Sequence, residues 1–216
     1  MTEIKKQFSA WKSYYKRFFP ENRSTKILDI GCGNGGFLYF LQECGFKNIQ
    51  GIDISSEQVK LAHSLGIKNV ILADSKDFLL KKLEIYDMIF MRDCLEHFVK
   101  DEIPNILESI YNSLKHNGLL IIQTPNGESL FSGKLRYADF THEVVFTRNS
   151  LSQVFKVIGF KEPRFYPTGP VPKGLISVLR CIVWKCIEFI LRLYAAVETG
   201  SFSGIFTQNV IAVAKK

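Results

Sequence analysis

The sequence predicts an α/β fold built on a mostly parallel β-sheet, and three observations support this prediction. Short apolar runs alternate with segments of helical periodicity from about residue 26 to residue 166. Several of these runs are apolar throughout, which is typical of strands that helices cover on both faces. A glycine-rich turn joins the first run to the first helix. The length of 216 residues suits one domain of this class with small additions.

Strands and helices follow one another regularly in the first 125 residues. Ser55 caps one helix, and Gly45 and Gly66 end two of them. Five strands are predicted, at 26–30, 49–54, 70–73, 86–91 and 119–124, with helices at 35–44, 56–65, 78–83 (short) and 101–115.

The remaining chain departs from this alternation. Residues 126–146 predict a long polar loop of the kind that covers ligands. Thr147 caps a helix that extends to about residue 158. Two further strands, at 160–166 and 209–214, flank a long excursion.

The net charge of +7 lies at the two ends of the chain. Residues 1–26 hold seven Lys and Arg against two acidic residues, and 173–216 hold six against two, whereas 27–172 hold fifteen against seventeen. A nucleic-acid enzyme more often lines a central groove with basic residues, so no nucleic-acid partner is predicted. Basic ends beside a near-neutral body instead fit an anionic membrane surface.

The five cysteines form no CxxC pair and their number is odd, which excludes a zinc ribbon and argues against a disulfide framework. The N-terminus has lysines but no continuous apolar segment of a secretory signal. We therefore expect a cytoplasmic chain, with peripheral contact to the inner face of the membrane as the alternative.

The turn from Asp29 to Gly36, DIGCGNGG, is interpreted as a ligand-binding loop. Glycines allow the backbone to approach a ligand closely, and the helix N-terminus favours an anionic group. Gly31, Gly33 and Gly36 also fit the GxGxxG pattern of dinucleotide enzymes, with Asp53 where those enzymes bind ribose. The loop alone leaves NAD, another nucleoside cofactor and a merely tight turn open.

Three features outside the glycines favour a nucleoside cofactor that carries a positive charge. Asp29 lies within the end of the first strand, where its carboxylate can accept hydrogen bonds from an ammonium group. Asp74 ends the third strand and suits an adenine amino group. The chain closes with a strand–excursion–strand unit, whereas an NAD domain would continue into a separate catalytic domain.

Five segments in this order resemble class I S-adenosylmethionine-dependent methyltransferases. They are ILDIGCGNGGFL at 27–38, GIDIS at 51–55, ADS at 73–75, YDMIFMRDCLEHF at 86–98 and LKHNGLLIIQTP at 114–125. The resemblance covers about residues 25–165 and the last strand. It implies a Rossmann-like α/β fold with a seven-stranded, mostly parallel sheet whose last strand is reversed.

The resemblance also implies S-adenosylmethionine as the cofactor and gives roles to matching positions. The first strand end and the glycine loop would hold the methionine moiety, the second strand end the ribose, the third the adenine, and the fourth would border the sulfonium and the acceptor. The cofactor-binding residues so implied are Asp29, Gly31, Cys32, Gly33, Asp53, Ile54, Asp74, Ser75, Arg92 and Asp93.

Two histidines are candidates for a general base, because an alcohol or phenol loses its proton when it is methylated. His97 follows the fourth strand at the carboxyl edge, where open α/β sheets bind ligands. His142 lies in the polar loop, three residues after Asp139. We predict His97, His142 and Asp139 as catalytic residues. The alternatives are a packed residue at a helix start for His97 and a loop-ordering hydrogen bond for His142.

The segment from Asp93 to His97, DCLEH, is similar to ubiquinone-biosynthesis O-methyltransferases, in which matching positions bind a divalent cation. That resemblance implies Asp93, Glu96 and His97 as ligands of Mg²⁺ or Mn²⁺. This chain departs from the pattern because it has Asp at the first position. The alternative to a metal site is a helix that begins with polar residues and binds no metal. The metal is left unassigned.

Two amphipathic segments flank the predicted domain. Residues 175–197 place apolar side chains on one helical face, opposite a charged arc, without the roughly 18–20 residue apolar run that spans a bilayer. This face either packs on the sheet, contacts a second copy in a homodimer, or lies in a membrane interface. A second apolar face, near the N-terminus, comprises Ile4, Phe8, Trp11, Tyr15 and Phe18 and predicts a lid helix.

The predicted organisation is a lid helix at 1–25, a methyltransferase domain at 26–166 and 205–216, and an inserted helical excursion at 167–204. The stretch 136–151, RYADFTHEVVFTRNSL, resembles bacterial methyltransferases of cell-envelope glycan assembly. This implies a sugar hydroxyl as acceptor, on the glycan or on a lipid-linked precursor. The alternatives are O-methylation of a lipid quinone or other small molecule, and a catalytically idle module that binds S-adenosylmethionine within a larger assembly.

Overall fold

The computed structural model, which describes residues 1–216, arranges seven strands in one sheet. The order across the sheet is β3-β2-β1-β4-β5-β7-β6, and β7 runs antiparallel to both of its neighbours while the other pairs are parallel. This confirms the predicted fold. The strands are β1 (Ile27–Ile30), β2 (Ile49–Asp53), β3 (Val70–Leu72), β4 (Tyr86–Arg92), β5 (Leu114–Pro125), β6 (Lys161–Pro167) and β7 (Asn209–Lys215).

The helices and strands agree with the sequence pattern apart from three main differences. The short helix begins at Ser75 rather than at 78, because the Asp74 side chain caps it by accepting a hydrogen bond from the Lys76 N–H. The fifth strand begins at Leu114, which pairs with Tyr86 before an irregularity in the register. The polar loop contains one short helix. The helices are α1 (Thr2–Tyr15), α2 (Gly36–Glu43), α3 (Ser56–Ser64), α4 (Ser75–Leu79), α5 (Ile103–Ser113), α6 (Ser132–Arg136), α7 (Arg148–Ile158) and α8 (Leu175–Thr199).

Apolar side chains fill both faces of the sheet. One core cluster joins the sheet to α5 and α7, and the other joins it to α1, α2 and α3. Every residue of β1 is buried, as expected for a strand with helices on both sides. The edge at which β1, β2, β3 and β4 end is therefore held in place by two packed layers.

Helix α1 buries the apolar face that the sequence predicts, through Ile4, Trp11 and Tyr15. Phe8 packs edge-on against Phe40 of α2 with ring centroids 5.1 Å apart. The Tyr15 hydroxyl donates to the Gln123 side chain at 2.6 Å, so the end of α1 reaches the carboxyl end of β5.

Helix α8 differs from all the other long helices because none of its 25 residues is buried. Hydrogen bonds join it to the segments on either side of it: the Cys181 thiol contacts the Pro170 carbonyl, and Arg192 donates to the Gly204 carbonyl. No helix in the structure has the length and hydropathy of a membrane-spanning segment.

Candidate functional site

A cavity of about 420 Å³ opens at the carboxyl edge of β1, β2, β3 and β4. Open parallel sheets bind ligands at this edge because the loops after the strands separate there. The predicted cofactor-binding residues that line the cavity are Gly31, Asp53, Ile54, Asp74, Ser75 and Asp93, together with the predicted catalytic residue His97.

The glycine loop turns tightly because three of its residues adopt left-handed backbone conformations. Gly31, Gly33 and Gly35 have φ of +68°, +54° and +72°. A Cβ atom on Gly31 would lie 2.6 Å from the Cys94 sulfur, so only glycine fits there. A Cβ atom on Gly33 would meet nothing closer than 3.8 Å, which leaves open space beside the loop.

Asp53, at the end of β2, organises this loop. One carboxylate oxygen accepts a hydrogen bond from the Gly33 N–H at 2.7 Å, and the other accepts from the Ser55 N–H at 2.8 Å. Each carboxylate oxygen has a further lone pair. Asp53 can therefore support the loop and still accept hydrogen bonds from a diol in the cavity.

Asp29 is a buried carboxyl group within β1, with 2% exposure. Burial raises its pKa to about 7, an effect that the nearby Arg92 guanidinium reduces and the Asp53 carboxylate increases. A cationic ligand group beside Asp29 would favour its ionised form. This is the electrostatic arrangement that a charged amino-acid moiety requires.

Arg92, at the end of β4, lies among aromatic rings of α1 and α2. Its guanidinium carbon is 4.2 Å from the Phe37 ring centroid and 5.0 Å from that of Trp11. Its Nε atom is buried without a hydrogen-bond partner. The side chain is thus positioned by stacking, and one of its donors remains unpaired.

Asp93 lies directly after β4 with φ of +49°, an uncommon conformation for a residue other than glycine. Its two carboxylate oxygens accept hydrogen bonds from the Gln123 amide at 3.0 and 2.8 Å, and one oxygen also accepts from Asn209 at 3.4 Å. Gln123 and Asn209 are not among the residues predicted from the sequence. A polar residue near the end of an apolar strand could have indicated Gln123 as a site residue. Asn209 reaches the carboxyl edge of the sheet only because β7 is reversed.

His97 is oriented by the polar loop. Thr141 Oγ1 donates its only proton to Asp139 at 2.7 Å, so it accepts from His97 Nδ1 at 2.9 Å. The Thr141 carbonyl also accepts from Nδ1, at 3.3 Å. These contacts place the proton on Nδ1 and leave the Nε2 lone pair free. The hydrogen bonds from Thr141 lower the pKa of Asp139 and keep it ionised.

His142 lies beside His97, with ring centroids 4.9 Å apart. Its Nδ1 donates to the Leu135 carbonyl at 3.1 Å, which again leaves Nε2 free. The structure therefore brings together the three predicted catalytic residues, although His97 is more than forty positions from Asp139 and His142 in sequence.

The donor set for a metal ion differs from the one that the resemblance implied. Glu96, His97 and His142 each offer one ligand atom, and these atoms lie within 4.8 Å of one another. Asp93 is not part of this group, because its carboxylate faces Gln123. Two imidazoles and a carboxylate suit a first-row divalent cation better than Mg²⁺, which prefers oxygen ligands.

A model of a methyltransferase domain family matches residues 4–162 of the chain. The chain belongs to the methyltransferase family. In this methyltransferase, the matched region includes every residue that lines the cavity, and it includes His97 and His142.

Solved methyltransferase structures share the fold. An S-adenosylmethionine-dependent methyltransferase from Archaeoglobus fulgidus superposes with a TM-score of 0.73, at 22% identity, over 98% of this chain and 94% of that one. A Haemonchus contortus phosphoethanolamine N-methyltransferase, in complex with S-adenosylhomocysteine, superposes over the whole chain and 57% of that protein, at 18% identity and a TM-score of 0.65.

Curated relatives are similar over part of their length. A phosphoethanolamine N-methyltransferase of Plasmodium falciparum is 32% identical over 104 residues, which are 47% of this chain and 39% of the relative. A ubiquinone biosynthesis O-methyltransferase of Rickettsia akari is 28% identical over 120 residues, 53% of this chain and 44% of the relative. The chain thus matches less than half the length of these two relatives.

The other predicted cofactor residues lie around the cavity rather than on its wall. Cys32 is buried, and its sulfur occupies the space beside Gly51 of β2, so only its backbone is available to a ligand. The cavity residues that were not predicted from the sequence include Lys76 and Glu102, which form a salt bridge at 2.5 Å, and the aromatic Phe98. Their contact joins α4 to the turn before α5.

Proposed function

We propose that this methyltransferase uses S-adenosylmethionine to methylate an oxygen acceptor, a sugar hydroxyl of a cell-envelope glycan or of its lipid-linked precursor. The observation that carries the proposal is the hydrogen-bonded series Asp139–Thr141–His97, which leaves His97 Nε2 free next to the cavity. A hydroxyl acceptor needs such a base, because its proton must leave as the new bond forms.

In this proposal, one group of residues binds the cofactor and a different residue, His97, accepts the proton. Asp53, Asp74 and Ser75 would hold the nucleoside, while Asp29 would hold the ammonium group. S-adenosylmethionine, when bound, supplies an electrophilic methyl group on a cationic sulfur. His97 Nε2 would take the acceptor proton as the oxygen bonds to the methyl carbon and the carbon–sulfur electron pair returns to sulfur.

The experiment is a transfer assay with labelled S-adenosylmethionine against glycan extract, quinone precursors and phosphoethanolamine. We expect label in the glycan fraction, and we expect His97→Ala to lower turnover by about 10²–10⁴-fold. Added imidazole should restore part of the lost activity. His116→Ala is the matched control, since His116 is an exposed histidine whose ring contacts only Asn117.

Two results would contradict this proposal. More than a third of wild-type turnover in His97→Ala would mean that His97 is not the base, and the same result in both His97→Ala and His142→Ala would mean that catalysis rests on positioning alone. Cofactor binding without transfer to any acceptor would support the idle module instead.

The cluster of Glu96, His97 and His142 favours a second candidate function. This function is the metal-dependent methylation of a lipid quinone or another phenol. These residues would hold a divalent cation that lowers the pKa of a bound hydroxyl. EDTA would then abolish turnover and readdition of Mn²⁺ or Zn²⁺ would restore it. Full activity in EDTA would exclude the metal while leaving the base in place.

A further inference from the structure

Helix α8 presents its polar side to the domain and its apolar side to solvent. Glu188 faces inward with a side chain only 12% exposed, and the Arg192 guanidinium donates to it at 2.8 Å. Arg192 also donates to the Phe202 and Gly204 carbonyls. The alternative in which the apolar face covers the sheet is therefore wrong.

The opposite side of α8, the outer face, is a continuous apolar surface. Leu175 is 91% exposed, and Ile190 is 62% exposed. No charged residue interrupts this side, since Arg180 and Lys185 lie at its two borders. An exposed apolar surface of this extent is typical of a contact with a membrane or a protein. The outer face comprises Leu175, Leu179, Ile182, Cys186, Phe189, Ile190, Leu193 and Val197.

We infer that the outer face lies in the interface of an anionic membrane, with α8 parallel to the bilayer. The charge distribution supports this occupant. Residues 173–216 hold six Lys and Arg against two acidic residues, and 1–26 hold seven against two. The Lys173 ammonium donates to the Lys6 carbonyl at 2.6 Å, so the start of α8 lies beside α1 and its lysines. Lys173 thus joins the basic residues of α1, and Arg180 and Lys185 follow it along α8, whereas Lys216 lies at the other end of β7, beside Glu84 and the Leu114 carbonyl.

A second copy of the chain fits this surface less well. Pairing through the outer face would bring two copies of the same basic surface together, and like charges oppose such an association. An anionic membrane has the opposite sign, and lysine or arginine at the border of an apolar helix face can extend to lipid headgroups.

The docked orientation would also bring lipid-linked acceptors to the site. A cavity of about 350 Å³ lies between α1, α8 and the start of β7, and Arg180, Trp184 and Tyr14 line it. Asn209, the first residue of β7, contacts Asp93 at the carboxyl edge of the sheet. The inference itself depends only on α8 and holds for any acceptor.

Vesicle flotation of the full chain tests the inference. The wild type should float with vesicles of phosphatidylcholine containing phosphatidylglycerol, and it should dissociate progressively as salt is raised. It should float poorly with pure phosphatidylcholine. Leu179→Glu/Ile190→Glu should reduce the floated fraction at least tenfold, and because neither residue is buried the fold should persist by circular dichroism.

The matched control is Leu80→Glu/Val157→Glu, which places two glutamates at exposed apolar positions, 69% and 83% exposed, outside α8. It should float like the wild type. Loss of flotation in this control, or absence of flotation in the wild type, would overturn the inference. So would a wild-type dimer that the α8 variant converts to a monomer, because the outer face would then bind a second copy. None of these readouts depends on methyl transfer.

Discussion

At the scale of single residues, the site depends on polar groups placed where a strand would otherwise be apolar. Asp29 is the clearest case, because it is a carboxyl group buried between the two core clusters. Burying a charge costs free energy unless a partner compensates it. A cationic ligand group beside Asp29 would supply that compensation.

Asp29 predicts a pH dependence of cofactor binding. Its pKa is about 7 in the free protein, so below that pH the carboxyl group is largely protonated, and an ammonium group must displace the proton. Affinity for S-adenosylmethionine should therefore fall as pH falls below about 7, and binding at pH 6 should release a proton. Titration calorimetry in buffers of different ionisation enthalpy measures this release. Asp29→Asn should abolish it, and an unchanged proton count would show that Asp29 does not face the ligand.

Substitution of Gly33 should weaken cofactor binding, and this effect can be measured separately from the loss of stability. An alanine there would have a strained φ near +54° and a Cβ in the open space beside the loop. We expect Gly33→Ala to cost about 1–2 kcal/mol of stability and to weaken cofactor binding at least tenfold. Gly66→Ala is the control, since Gly66 has φ of +85° and open surroundings outside the cavity. Equal affinities in the two variants would contradict this role for the loop.

At the scale of elements, α1 supports the carboxyl edge of the sheet through a short series of hydrogen bonds. The Tyr15 hydroxyl donates to Gln123, whose amide donates to Asp93. All three side chains come from different elements, so the orientation of Asp93 depends on the docking of α1. Helix α1 therefore helps to position Asp93, and its role as a lid stays a prediction.

This series predicts the effect of removing one hydroxyl group. Tyr15→Phe would leave the Gln123 side-chain oxygen buried without its donor, which should lower stability by about 1–3 kcal/mol. Tyr14→Phe is the comparison: it loses a hydrogen bond to the Gly169 carbonyl at a half-buried position, where water can replace it. Denaturant unfolding of both variants measures the difference. Equal losses of unfolding free energy in the two variants would mean that the Tyr15–Gln123 hydrogen bond stabilises the fold no more than the Tyr14–Gly169 hydrogen bond does.

At the scale of the whole molecule, most of the sheet could be predicted because its strands are locally encoded. The apolar runs of β1, β2 and β4 and the glycine turn need no distant partner to be recognised. Boundaries were less accurate where a distant residue decides them, as at Leu114, which extends β5 by pairing with Tyr86. The positions of Asp29, Asp53 and Asp74 at strand ends followed directly from the strands.

The sequence by itself determined the α/β fold, the reversed last strand through a family resemblance, and the carboxyl edge at which the site lies. Only the tertiary structure decided that His142 rather than Asp93 joins Glu96 and His97, because that choice depends on a loop folded back across more than forty residues. It also decided the direction of α8. Periodicity identifies the apolar arc of a helix, but contacts elsewhere in the chain determine whether that arc faces the core or the surroundings.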